Sequence, residues 1–214
     1  MYKGTEHICF KQKDLPITIL NFWQWGYSNL LQNILRGKFA EFIVKIALAE
    51  TNPKFLEKNN NSLSPYDLTG PVIPSTKLQS RIEVKSAAFV QTWDIRHPNQ
   101  ATFRIAPSVA PDENGEYVEG ATRQRNNDIY VFTVYKATSR EENILDLSLW
   151  EFYVLPTFKI ESDVKLRKQK TISLKAVQNL CNPVPFNKLC MEIISACNSI
   201  PANFDRYIIY PTKS

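Results

Sequence analysis

The stretch Arg81-Ile82-Glu83-Val84-Lys85 decides how the chain is read. Its polar and apolar residues alternate strictly, the period of a β-strand whose side chains leave on opposite faces. Ile82 and Val84 then enter a core, while Arg81, Glu83 and Lys85 share the other face. Two residues along a strand is about 6–7 Å, so the carboxylate and the ammonium emerge side by side. That pair suits a hard metal ion and a polyanionic substrate, with oxygen to ligate the ion and positive charge beside it. Glu-x-Lys is also common on ordinary exposed strand faces, so its meaning depends on its surroundings.

Upstream, Pro65-Tyr66-Asp67-Leu68 enters a short strand, and Gly70, Pro71 and Pro74 mark a turn. Asp67 and Glu83 are therefore expected on successive antiparallel strands, both near one end of a sheet. Taken alone, Asp67 also reads as a turn aspartate bonding its own backbone. From Pro16 to Glu50 the pattern is helical, with a break near Gly26 and Ser28 as N-cap of a second helix. Leu31, Leu35, Phe39, Phe42, Ile43 and Ile46 form its expected apolar stripe. Glu41 lies beside that stripe, one turn beyond Gly37, where the missing side chain leaves room for a ligand or other backbone. By itself it also reads as a solvated helix glutamate. Residues 1–15 read as a polar lead-in and residues 52–64 as a loop.

Downstream, a strand continuing unbroken past Lys85 would put Gln91 on the face of Glu83 and Lys85. Phe103-Arg104-Ile105 reads as a short strand. Residues 107–127 form a long polar excursion, a length that in a compact domain usually serves function or disorder. It ends with Arg123 and Arg125, which face phosphates or water. Ile129 to Tyr135 is apolar on both faces, the mark of a central buried strand. Trp150 to Leu155 is another strand, stopped by Pro156. Lys165, Arg167, Lys168 and Lys170 read as a solvated basic cluster. Ser173 is expected to cap a short helix, and Asn187 a last one that carries Cys190 and Cys197 on one side. The order of helices, strands and helices implies an α/β or α+β fold: a single domain over 1–214, with a mixed sheet of about four to six strands flanked by helices.

Of the 214 residues 43% are hydrophobic and 22% charged, which is ordinary globular composition. The net charge of +5 is compatible with a nucleic-acid partner but does not require one. Four cysteines without a C-x-x-C pair, and only two histidines, argue against structural zinc. No apolar run approaches the ~20 residues of a membrane span, and the start of the chain carries too many charges for a signal peptide. A cytoplasmic protein with reduced thiols, and no membrane partner, is expected.

Glu41 in Arg36-Gly37-Lys38-Phe39-Ala40-Glu41-Phe42, Asp67 in Tyr66-Asp67-Leu68, and Glu83-Val84-Lys85-Ser86 form an ordered set. With Ala87 to Trp93, Asn127 to Phe132 and Trp150 to Leu155, that set resembles a bacterial branch of the PD-(D/E)xK nuclease superfamily, the restriction-endonuclease-like enzymes. The resemblance covers roughly residues 22–180, with Tyr66 standing where the family name has proline and Pro65 one step earlier. It implies a restriction-endonuclease-like core and Mg2+-dependent cleavage of DNA, with Mn2+ as a substitute. By the same resemblance Asp67 and Glu83 would ligate metal, and Glu41 would hold a second metal or a metal-bound water. Lys85 would assist the nucleophile, and Gln91 would be an auxiliary residue. Arg96, Arg123 and Arg125 are candidate nucleic-acid contacts, and a homodimer is expected if both strands of a duplex are cut. The alternative is a non-catalytic nucleic-acid-binding or partner-binding module on the same fold. Three carboxylates facing a polyanion favour the enzyme, because a pure binder gains little from them.

Overall fold

The computed structural model describes residues 2–56, 64–92, 100–111, 116–117, 120–202 and 204. At its centre β4 (Leu78–Ala88) and β6 (Ile129–Tyr135) run parallel, in register from Ile82 opposite Ile129 to Ala88 opposite Tyr135. β3 (Leu68–Ile73) lies antiparallel outside β4, and β7 (Trp150–Pro156) antiparallel outside β6. The result is a four-stranded mixed sheet in the order β3-β4-β6-β7. It is flanked by helices, as the order of the elements implies.

Side-chain alternation divides the core into two layers. One face of the sheet buries Ile82, Val84, Ile129, Val131, Phe152 and Val154. It lies beneath α2 (Asn33–Ala49) and α5 (Phe186–Ser199). The other face buries Tyr130, Phe132, Val134, Tyr153 and Leu155. Its cover is β5 (Thr102–Arg104) paired with β8 (Thr171–Ser173), together with α3 (Thr157–Ser162) and α4 (Leu174–Gln178). All seven residues of β6 are buried, because the strand is packed on both faces.

Gly70 marks the tightest approach between β3 and β4. A Cβ there would come within 2.5 Å of the Ile82 side chain and 2.6 Å of Ser80 Oγ. The pairing shifts register between Thr69 and Val72, so the close passage coincides with an irregularity in the ladder.

Several expectations give way to tertiary packing. The polar lead-in contains a hairpin, β1 (His7–Phe10) with β2 (Lys13–Thr18), turned through positive φ at Lys11 and Gln12. Its strands are almost wholly exposed, so no half-buried alternation marked them in advance. α1 (Ile19–Tyr27) follows at once, and Ser28 is its C-cap rather than the N-cap of α2, which is Gln32. The buried face of α2 is Arg36, Ala40, Ile43, Val44, Ala47 and Leu48, while Phe42 is 52% exposed. Small alanines let the helix sit close to the sheet, which rotates the expected stripe. Pro185 rather than Asn187 precedes α5, whereas Ser173 does cap α4 by accepting from the Ala176 N–H at 3.2 Å. Cys190 and Cys197 are both buried on α5. Among the described residues no helix is long and apolar enough to cross a membrane.

Candidate active site

Asp67 stands immediately before β3, and its main-chain N–H donates to Ile82 O at 3.0 Å. Its side chain turns back onto β4, where Oδ2 accepts the Val84 N–H at 2.8 Å. That bond holds the carboxylate against the strand segment that carries Glu83. Glu83 leaves the opposite face from Ile82 and Val84, in the row of Tyr130 on β6. Lys85 Nζ donates to Glu83 Oε1, with the two side chains 29% and 20% exposed. The alternation of one strand therefore puts carboxylate and ammonium together, as its sequence implies.

Glu41 comes from α2, where Lys38 Nζ donates to both of its carboxylate oxygens at 2.8 Å. Lys38 is a residue the sequence reading left without a role. Its spacing of three from Glu41 is the available signal, since residues three apart are neighbours on a helix surface.

These groups feel one another. Burial, reinforced by the charge of Asp67, pushes the Glu83 carboxyl above its usual range, with Lys85 opposing and Glu41 adding to the rise. Burial also raises Glu41, where Asp67 adds to the rise while Lys38 and Lys85 oppose it. For Lys38, burial works against the charged form, but Glu41, Asp67 and Glu83 together outweigh it and raise the ammonium. Helix and strands thus bring Lys38, Glu41, Asp67, Glu83 and Lys85 into one electrostatic neighbourhood. Three carboxylates against two ammoniums leave an excess of negative charge.

Asp67 and Glu83 line one cleft of about 290 Å³, walled by Pro65 and Tyr66 on one side and by Ser108, Pro111 and Tyr117 on the other. Four residues of the long polar excursion, Ser108, Val109, Pro111 and Tyr117, therefore line the site. Each glutamate is held by an ammonium, and among the described residues no three His, Cys, Asp or Glu side chains form a ready-made ligand group. The donor set nonetheless fits a hard cation. It is all oxygen, its charges are crowded, and a divalent ion would relieve the repulsion.

Arg81 and its partner were not foreseen as a unit. Asp128 is fully buried; its Oδ2 accepts from Arg81 N at 2.8 Å and Nε at 3.2 Å, and its Oδ1 accepts from Nη2 at 2.9 Å. Tyr130 was missed as well. It is buried across from Glu83, and burial drives its pKa far up, with the charge of Arg125 opposing the rise.

The remaining expected site residues are dispersed. β4 ends at Ala88, so strand alternation does not extend to Gln91, which is buried with its Oε1 lacking a hydrogen-bond partner. Its main-chain O accepts from Arg140 Nε at 3.1 Å. Arg125 is buried rather than presented to a ligand. Its Nη1 pairs with Glu161 Oε1 at 2.6 Å, and the guanidinium also donates to the carbonyls of Leu166, Arg167 and Gln169. Arg123 is exposed, with Nε donating to Pro107 O at 3.4 Å. Arg96 lies outside the described residues. Comparison of the chain with protein-family models, curated proteins and solved structures found no match.

Proposed function

We propose that this protein is a divalent-metal-dependent endonuclease that hydrolyses phosphodiester bonds in DNA. The observation that supports this most is Asp67, clamped by the Val84 N–H beside the Glu83–Lys85 pair, with both carboxylates opening on the same cleft. In this reading Asp67 and Glu83 hold Mg2+ or Mn2+, and Glu41 holds a second ion or its water. When bound, such an ion neutralises the crowded carboxylates and polarises the phosphodiester.

The protein's own groups divide the rest of the work. The Val84 N–H fixes Asp67 at the cleft, so its carboxylate needs little reorganisation to meet an ion. Lys85 Nζ, steadied on Glu83, offers positive charge to the phosphate and a proton donor at its edge. Lys38 opposes the effect of burial on the Glu41 carboxyl. Ser108, Val109, Pro111 and Tyr117 narrow the cleft and limit water around the reacting phosphate. Cutting both strands of a duplex would call for two such sites, hence a homodimer.

Plasmid incubated with the protein and Mg2+ or Mn2+ tests the reading. Metal-dependent nicking is expected, and it should vanish in Glu83→Ala and Lys85→Ala. Salt-sensitive DNA binding with no nicking in any metal would instead support the non-catalytic binding module.

A further inference from the structure

A second cavity is about 530 Å³ in volume. Its size lies in the range of small-molecule sites, roughly 300–1,000 Å³. Arg81, Arg123, Arg125, Arg167 and Lys168 line it, together with Phe204. Two of these cations are already matched, Arg81 by Asp128 and Arg125 by Glu161. Among the described residues Arg123, Arg167 and Lys168 have no carboxylate partner, so the cavity carries an excess of positive charge. The exposed position of the three side chains leaves them able to turn inward.

The two cavities draw on the same strand. Arg81 lines this one and Glu83 lines the other, and both leave the same face of β4 about 6–7 Å apart. Tyr130 pairs with Glu83 across the sheet and feels the charge of Arg125. Arg125 also fixes the far wall, because its guanidinium gathers the carbonyls of Leu166, Arg167 and Gln169. The segment carrying Arg167 and Lys168 is thus held in place by a buried group, not left as a loose basic loop. Guanidinium forks match phosphate oxygens, and an aromatic ring offers a stacking surface for a base. Phe204 is braced for that by an edge-on contact with Phe158, centroids 6.0 Å apart.

We infer that this cavity binds one nucleotide unit of a DNA strand, its phosphate held by Arg123, Arg167 and Lys168 and its base against Phe204. The inference rests on the nuclease reading for the strand to which the nucleotide belongs. It supplies that reading with a positioning site next to the cut, where binding energy remote from the reacting phosphate sets the register.

The test titrates the full-length protein in EDTA with thymidine 5′-monophosphate, thymidine and tetrathymidylate, followed by protein NMR shifts. The monophosphate is expected to bind at least about tenfold more tightly than the nucleoside and to weaken as salt rises. Arg123→Ala and Arg167→Ala should each reduce its affinity several-fold. Phe204→Ala should weaken the monophosphate but not inorganic phosphate. Thymidine binding as well as its monophosphate, or indifference to both arginine variants, overturns the inference. Tetrathymidylate binding no more tightly than the monophosphate overturns the assignment to a strand. Plasmid nicking without nucleotide binding sinks this inference alone, whereas nucleotide binding without nicking sinks the nuclease reading alone.

Discussion

Arg81–Asp128 and Lys85–Glu83 are two ion pairs anchored on the same face of β4, yet they are built in opposite ways. Asp128 is fully buried and accepts three bonds from Arg81, one from its main chain and two from its guanidinium. Both carboxylate oxygens are engaged, and the pair ties β4 to the start of β6. Glu83 is only mostly buried, has one ammonium, and lies close enough to Asp67 and Glu41 to be pushed toward protonation. The first arrangement is architecture: desolvation is offset by complete pairing. The second keeps like charges together without fully compensating them, which is how sites that await a ligand differ from structural pairs.

Removing one partner should separate the two pairs most sharply. Asp128→Ala leaves a mostly buried guanidinium unmatched and should cost up to about 3 kcal/mol in a denaturant titration. Such a loss would threaten folding itself. Glu83→Gln should do the reverse. Nicking with Mg2+ falls about 10²–10³-fold, while stability to denaturant does not drop, because a neutral amide escapes the repulsion. A Glu83→Gln protein as unstable as Asp128→Ala would erase the contrast between the pairs.

Acid sharpens the comparison further. Glu41 and Glu83 have folded-state pKa values raised above the ordinary 4.5. Their folded forms therefore bind protons more readily than the unfolded chain. The stability they contribute is complete below pH 4.5 and is lost as pH rises through their folded pKa values. In EDTA, unfolding midpoints followed from pH 7 downward should show this gain from the two glutamates, and Glu83→Gln should flatten it. A profile identical in wild type and variant would remove the evidence for crowding.

The smallest effect is expected at Lys38. Its side chain is 69% exposed, so Lys38→Ala should change stability by no more than about 0.5 kcal/mol. Glu41 should nevertheless titrate at higher pH in the variant, because it loses its hydrogen-bonded ammonium. Carboxyl NMR of Glu41 measures this directly.

Much of the site was legible before the fold was known. Arg81 to Lys85 could be read because period-two alternation assigns each side chain to a face, whatever else surrounds the strand. Ile129 to Tyr135 could be read because only a strand covered on both faces tolerates such a run. The partner of Arg81 could not. Asp128 is 47 residues away, and nothing local to either residue announces the bond. The burial of Arg125 was hidden for the same reason, since its four acceptors belong to a turn and helix more than 35 residues later. Gln91 depended on a strand that stops at Ala88.

The amino-acid order alone determined the central strands β4, β6 and β7, which side of β4 carries the charges, and that the strand entered at Asp67 lies antiparallel to the one carrying Glu83. These are properties of short-range periodicity and turn chemistry. Tertiary structure alone decided the parallel seating of β6 beside β4, the approach of Glu41 to the two strand carboxylates, and which arginines are consumed as ties. Those outcomes depend on groups far apart along the chain competing for the same few partners, and only the closed packing settles that competition.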